Sequence, residues 1–487
     1  MKLWLIVIHR WLGFAGCLLF ALWFGSGLVM MYVEMPYLQR TAERLEGLVP
    51  LDASVPLLTP WQAIDRSGLE TSPANLRLVS RATAKGAHPV WELEGGALPS
   101  LDAMTGEILP APTLEDATAA VSRWNPEATF RSTTDVDQWT LPRSQFAAHR
   151  PLHRFADERG EWLYASSVTG AVVQRVSRGE RLWATAGPVA HWLYPTFLRR
   201  RAALWNRVVV ITSLLCTVAV VTGLALGLWH LRRRSPHIPY REPTMRRHHL
   251  FGLIFGFFAF TWTLSGLFSM EPVPVPSSGA TAEQKRLWQG DVGWPAFQRR
   301  PDEVLAVLPR PVKELRLRFF DGDAYWLATS DEGETQLLSD RELHLVEALP
   351  ASSLRPVAEG LLPAATLTDW QRLDDYDLHY TSKETSPTAR PLPVYRARYD
   401  DAESTVLYVD PATAELVLRV VDGRRLVRIL YQGLHSWNLF GFHNLRPLWD
   451  LVVGAAMIGG LILSVTGVQL SWRLGKQRLR RRRRPKV

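Results

Sequence analysis

Two histidines head long apolar runs: "HRWLG" at 9–13 and "HHLFG" at 248–252. Two others, His191 and His435, each stand fourteen residues before a tryptophan, Trp205 and Trp449, that begins another such run. A neutral imidazole has one N–H to give to a neighbour and one lone pair to give to a metal. Four histidines at matched places can therefore make two ligand pairs. The plainer reading is that they are polar tips in an aromatic belt, since Trp192, Tyr194 and Trp437 are close by. An ionisable residue inside a span is a functional hypothesis by default, and its repetition strengthens that reading. The only cysteines, Cys17 and Cys216, both lie in apolar runs. The polar segments thus have no disulfide framework, and a Cys-ligated zinc, an iron–sulfur cluster or a covalently attached haem is excluded. Any metal has to use His, Met or carboxylate donors.

The elements that position these residues follow from hydropathy. Stretches 3–33, 202–230, 248–270 and 448–472 each supply the roughly 20 apolar residues that cross about 30 Å of hydrocarbon. The first is too long for a removed signal peptide and reads as an anchor. Arg232, Arg233, Arg234, Arg241, Arg246 and Arg247 fill the link between the second and third spans. The tail "RLGKQRLRRRRRPKV" has no acidic residue. Lys and Arg gathered on one side mark that side as cytoplasmic, so both termini are expected inside and the segments near 35–200 and 271–446 outside. This rule accounts for most of the net charge of +9 and removes the case for nucleic-acid binding. Most of the 20 tryptophans near span ends read as interface anchors.

The chain reads as a duplication. Aligning His9 with His248 puts Gly13 on Gly252 and Ser26-Gly27-Leu28 on Ser265-Gly266-Leu267 without a gap. A second register joins His191 to His435, Trp205 to Trp449, and Val221-Thr222-Gly223 to Val465-Thr466-Gly467. Span, outer domain, amphipathic approach and span therefore occur twice, as a parallel repeat. Pro195 and Gly441 predict a break between each approach and its span. The outer segments read as α+β: a helical period at 58–69, then hairpins at 90–109 (turn at Met104-Thr105-Gly106), 161–176 and 404–420. Pro-rich stretches at 272–276 and 387–393 read as linkers. No nucleophile elbow, phosphate loop or zinc-protease helix occurs.

"HRWLG", "DAMTGEIL", "HRPLHRF" (149–155), "GPVAHWLYP" (187–195), "LYVDPATAELV" and "LHSWNLFGFHNLRPLWD" (434–450) together resemble the PepSY-associated transmembrane family. The chain departs from the family pattern at "ATAEL", where a Gly usually follows the Thr, and at "HSWN". The resemblance implies a membrane α-helical bundle of four main transmembrane helices, internally duplicated, with two α+β PepSY-like periplasmic domains. The divisions are transmembrane helix 1 (1–33), PepSY-like domain 1 (34–182), an interfacial helix with transmembrane helix 2 (183–230) and a basic cytoplasmic loop (231–247). Transmembrane helix 3 (248–270), PepSY-like domain 2 (271–430), an interfacial helix with transmembrane helix 4 (431–472) and a basic tail (473–487) follow.

The family's best-understood members look like di-haem inner-membrane reductases of ferric siderophores, which implies two b-type haems here. His9 with His248, and His191 with His435, are then the axial ligands, with His249, His230 and His443 as alternates. Gly13, Gly252 and Gly256 leave helix surface on which a flat ring can lie, or serve close helix packing. Arg199, Arg200 and Arg201 are candidate partners for haem propionates, lipid head groups or an acidic substrate. His149, His153 and His379 lie in the outer segments, while His88, His237 and His344 carry no signal. Besides the lipid bilayer, the expected partners are a ferric siderophore or other periplasmic acceptor, and a quinol or a cytoplasmic reductase as donor. Nucleic acid is not among them. No acid, base or nucleophile is needed for outer-sphere electron transfer. A second reading stays open, in which a membrane-anchored PepSY module binds or regulates a periplasmic protein or peptidase without redox activity. A transporter has less support, because four helices with few charges are short of the usual architecture.

Overall fold

The computed structural model describes residues 2–36, 44–68, 76–93, 99–139, 143–233, 240–271, 275–381, 390–439 and 441–482. Parts of both Pro-rich stretches, the middle of the basic link with Arg234 and His237, and the end of the tail lie outside the described residues. The chain forms two compact units: residues 1–35, 179–275 and 425–487 make one, and 36–178 with 276–424 the other.

The first unit holds four helices long and apolar enough to cross a membrane: α1 (Lys2–Met30), α2 (Ala202–Arg233), α3 (Pro243–Phe268) and α4 (Leu448–Arg482). Each packs on two neighbours, α1 on α2 and α4, and α3 on α2 and α4, which leaves α1 and α3 facing each other across the diagonal. Helix α3 begins five residues ahead of His248. Glu242 caps it by accepting the Met245 N–H at 2.6 Å, and Pro243 occupies the first turn, where its missing N–H costs nothing. His248 and His9 are therefore set inside their helices rather than at the ends. Apolar side chains fill the seam, with Phe24, Trp262, Trp449 and Val453 in one cluster.

The second unit is α+β. Strands β1 (Leu76–Thr83), β2 (Gly86–Leu93) and β3 (Leu101–Asp102) come from the first outer segment. So do β4 (Arg131–Val136), β5 (Leu152–Ala156), β6 (Trp162–Ser166) and β7 (Val172–Val176), which form a four-stranded sheet in chain order. From the second segment come β8 (Val312–Phe320), β9 (Asp323–Ser330), β10 (Thr335–Ser339) and β11 (Leu345–Val346). Strands β12 (Leu367–Leu373), β13 (Val394–Tyr399), β14 (Val406–Asp410) and β15 (Glu415–Val420) make a further four-stranded sheet.

Strand β1 pairs antiparallel with β8, with Leu78 opposite Leu315 and Val79 opposite Glu314. The two outer segments thereby share one seven-stranded sheet in the order β11-β10-β9-β8-β1-β2-β3. The period of two along these strands decides what each face carries. Leu78, Trp91, Leu315 and Trp326 point into one apolar core that draws on both segments. Arg77, Arg81, Glu92, Glu314 and Arg316 alternate onto the other face.

The predicted turns form where Gly or a short polar side chain allows. Asp102 accepts the Met104 and Thr105 N–H groups, and Gly106 takes φ 81°. Ser166 and Gly170 repeat this in the β6–β7 hairpin, with φ 71° at the glycine. At the "ATAEL" departure Ala414 holds the same left-handed conformation, at φ 56°. A Cβ there costs about 1–2 kcal/mol, which is why a glycine suits that turn.

On the polar face Glu314 is fully buried and meets Arg44 at 2.6 Å, Arg77 at 2.8 Å and Arg316 at 2.5 Å. Glu92 meets Arg77 at 2.8 Å and Arg81 at 2.6 Å. Burial alone would raise the Glu314 carboxyl. The hydrogen bond from Arg44 and the charges of Arg77, Arg44 and Arg316 outweigh it and hold the group at about 2. Glu92 is lowered in the same way, burial being overcome by Arg81 and Arg77. Removing one partner from such a network leaves an uncompensated buried charge, at a cost of about 3–5 kcal/mol. Glu314→Ala should therefore lower the thermal unfolding midpoint of this unit markedly, as read by circular dichroism. In the unaltered protein the Glu314 contribution is complete above about pH 4.5, its ordinary value, and is lost as the pH falls towards about 2. The acid unfolding curve of Glu314→Gln should be flatter than that of the unaltered protein through that window.

Candidate functional site

The helices bring the four histidines together as two pairs. His9 on α1 and His248 on α3 have ring centroids 6.2 Å apart, across the diagonal of the bundle, with planes inclined at 49°. His191 and His435 stand 5.8 Å apart at 74°. Ser26 and Ser265, which contact the second pair, lie seventeen residues beyond His9 and His248. At 1.5 Å per residue that is about 26 Å along the helix, so the pairs occupy opposite ends of the bundle.

Every one of the four rings is held through Nδ1. His9 Nδ1 lies 2.9 Å from the Ala219 carbonyl of α2. A carbonyl only accepts, so this nitrogen carries the proton. His248 Nδ1 lies 3.1 Å from Thr466 Oγ1 of α4, whose own proton goes to the Leu463 carbonyl at 2.7 Å. At the other end His191 Nδ1 is 3.1 Å from Ser26 Oγ, and that hydroxyl donates to the Leu22 carbonyl at 2.6 Å. His435 Nδ1 is 2.9 Å from Ser265 Oγ, which donates to the Trp262 carbonyl at 3.1 Å. Each hydroxyl has spent its proton on its own helix and so accepts from the imidazole. Nδ1 is then the protonated nitrogen in all four rings. The Nε2 lone pairs remain, and none of them makes a hydrogen bond among the described residues.

The segments that carry His191 and His435 are built alike. A π-turn precedes each, at Thr185–Val189 and Arg428–Gly433. Such turns are rare, and they concentrate at functional sites. Two residues past each histidine the backbone turns left-handed, at Leu193 (φ 49°) and Trp437 (φ 52°). The helix therefore breaks slightly before Pro195 and Gly441. Trp23 Nε1 donates to the His191 carbonyl at 2.9 Å, and Trp262 Nε1 to the His435 carbonyl at 2.7 Å. Trp205 and Trp449 do the same one residue on, at the Trp192 and Ser436 carbonyls, at 2.8 and 2.9 Å. These indoles tie off carbonyls at the ends of the short helices.

The alternates lie elsewhere. His230 Nδ1 is bound to the Leu226 carbonyl at 2.7 Å, and its ring groups with His249 and Tyr240, with centroids 5.4 to 6.0 Å apart. His443 packs edge-on to Trp449 at 6.5 Å. Of the three arginines, Arg199 is 2 % exposed, while Arg200 and Arg201 are exposed. In the second unit His149 Nδ1 meets Ser166 Oγ at 3.2 Å, and burial holds its imidazole below the usual range. His88 pairs with Asp102 at 2.9 Å and His344 with Glu342 at 3.0 Å. His153 lies on β5, and His379 in the loop after β12. Among the described residues no group of three or more His, Cys, Asp or Glu converges as a metal cluster would.

The sequence reading missed the orienting role of Ser26, Ser265 and Thr466, although "SGL" and "VTG" were visible as repeated words. It also missed Gly223, where a Cβ would come within 2.6 Å of His9 Cε1. At the matching Gly467 the nearest atoms, in Cys17 and His248, would be 3.6 Å away. Gly13 meets nothing within 4 Å, and Gly252 meets only Leu463 Cδ1 at 3.6 Å. Gly256, by contrast, is pressed by Leu224, with 2.7 Å to a would-be Cβ, which is close helix packing.

Four apolar helices with a half-buried imidazole pair towards each end make this a multi-pass membrane protein with an α+β extramembrane unit. Residues 327–487, about a third of the chain, match the family model of the PepSY-associated TM region. The match takes in His435 and α4, while His9, His191 and His248 precede it. No curated protein matches the chain.

The glycine asymmetry gives a direct test. Gly223→Ala should displace the His9 ring and lower stability by about 1–3 kcal/mol through overpacking. Gly467→Ala should be neutral, or stabilise by up to about 1 kcal/mol through helix propensity. Thermal unfolding of the detergent-solubilised variants reads the difference, and equal effects would contradict the packing around His9.

Proposed function

We propose that this chain is an inner-membrane b-type haem protein, built on an internal duplication, that carries electrons from the cytoplasmic or membrane side to a periplasmic acceptor. The observation that supports it most is the pair of pairs: four imidazoles with Nδ1 committed and Nε2 left over, neighbours in twos. Two imidazoles that held one iron between their Nε2 atoms would have ring centroids about 6 Å apart. The two pairs, at 6.2 and 5.8 Å, fit that requirement. A porphyrin between two neutral imidazoles supplies reversible one-electron chemistry.

The chain's own residues do the positioning. Ala219, Thr466, Ser26 and Ser265 hold the tautomer and ring orientation, as partners of metal-bound histidines generally do. Gly223 leaves room for the His9 ring, and the apolar seam of Phe24, Trp262 and Val453 keeps water out between the two ends. Two sites separated along the helices by about 26 Å divide a crossing too wide for one carrier. The basic link and tail favour the His9–His248 end as cytoplasmic, and the extramembrane unit as periplasmic. Family resemblance favours a ferric siderophore as acceptor, reduced by outer-sphere transfer. A quinol or a separate soluble reductase is the donor.

Protein purified in detergent from haem-replete cells should show a b-type spectrum that sharpens on dithionite, with about two haems per chain by pyridine haemochrome. His9→Ala or His248→Ala should remove one of them, and His191→Ala or His435→Ala the other. A colourless, folded preparation would instead support the anchored PepSY module that binds a protein partner.

A further inference from the structure

The polar face of the seven-stranded sheet is the floor of a cavity of about 860 Å³ within the extramembrane unit. Its far walls are the helix Leu114–Trp124 and the β6–β7 hairpin. Five cationic side chains line it: Arg44, Arg77, Arg81, Lys85 and Arg316. Glu115 and Asp116 are the carboxylates on its wall, and Asp116 is already taken by the Thr113 and Ala84 N–H groups at 2.9 and 3.0 Å. Even with Glu92 and Glu314 beneath the floor counted, cations exceed carboxylates. Lys85 forms no ion pair within 4 Å among the described residues. Leu48, Val90, Leu109, Phe146 and Val172 give it apolar lining, beside His88, His149 and three threonines. The Trp124 indole N–H, also in the wall, is buried with no hydrogen-bond partner among the described residues.

We propose that this cavity binds an organic polyacid, a small molecule with two or more carboxylate-type groups on an apolar frame. Its volume falls in the range of small-molecule sites, about 300–1,000 Å³. Guanidinium forks match carboxylates bidentately, as Arg44 already does with Glu314 at 2.6 and 2.9 Å. The apolar walls select against inorganic phosphate, which has nothing to place there. Arg316 on β8, Arg77 and Arg81 on β1 and Lys85 at the β1–β2 turn distribute the cations along two neighbouring strands, which favours more than one acidic group. This site is independent of the histidine pairs, so its failure and theirs are separate results.

Titration calorimetry on the full-length protein in detergent, with benzene-1,3,5-tricarboxylate, benzoate and inorganic phosphate as probes, tests it. The tricarboxylate should bind saturably at one site, with benzoate at least about tenfold weaker and phosphate without measurable heat. Arg316→Gln should weaken the tricarboxylate about tenfold, the loss expected for one charge-assisted hydrogen bond. Lys85→Gln, at an exposed position with no ion pair within 4 Å among the described residues, should also weaken it, with only a small change in thermal stability. Ala111→Trp, which adds bulk to the cavity lining without removing a charge, should abolish binding. The proposal is overturned if the tricarboxylate gives no saturable heat, or if its affinity is the same in all three variants. It is equally overturned if phosphate matches the tricarboxylate, or if only an acidic peptide binds.

Discussion

The proton on each histidine Nδ1 is what the membrane unit is organised around. A carbonyl can only accept, and a serine or threonine hydroxyl that has already donated within its helix can only accept as well. Once His9 is placed against Ala219, His248 against Thr466, His191 against Ser26 and His435 against Ser265, the tautomer of all four rings follows. Each bond also joins different elements, so ring orientation and helix packing are set together. In an apolar bundle this matters more than in water, because an unpaired imidazole N–H has no solvent to turn to. The same bonds that stabilise the bundle leave four Nε2 atoms with their lone pairs uncommitted.

The extramembrane unit solves a different problem with a comparable economy of parts. The strand pair β1–β8 joins the two outer segments into one sheet, so neither has to bury its apolar face alone. The opposite face carries charges at strand positions whose alternation leaves no choice, and the arginines neutralise Glu92 and Glu314 where burial would otherwise protonate them. A network of this kind gives little net stability over an apolar substitute. Its persistence under a cavity is better understood as keeping several guanidiniums fixed in place.

Much of this was legible in the residues, and the limits have physical reasons. The four spans announce themselves by hydropathy, and the matched words "SGL" and "VTG" point to matched sites. The hairpin turns at Gly106 and Gly170 are readable because a left-handed residue demands glycine or something close to it. The start of α3 was misjudged by five residues, because Arg246 and Arg247 mask helical sequence that Glu242 and Pro243 in fact initiate. The β1–β8 pairing was not legible, since a long-range strand pair leaves no local pattern. Nor was the role of Ser26 or Ser265: a hydroxyl in a membrane helix ordinarily bonds back to its own helix, and only the structure reveals what it accepts. The buried arginine–glutamate set on β1, β2 and β8 was not legible, because the elements covering that face come from elsewhere in the chain.

The central claim is that the four Nε2 atoms converge in twos as axial ligands of haem iron. Low-temperature electron paramagnetic resonance of the oxidised protein tests it most directly, because the signal of a ferric haem reports both axial donors. Two low-spin bis-imidazole species are expected, the more anisotropic belonging to the His191–His435 pair with its 74° ring angle. One signal should vanish in His248→Ala and the other in His435→Ala. A high-spin signal, or a single low-spin species untouched by either substitution, would contradict it.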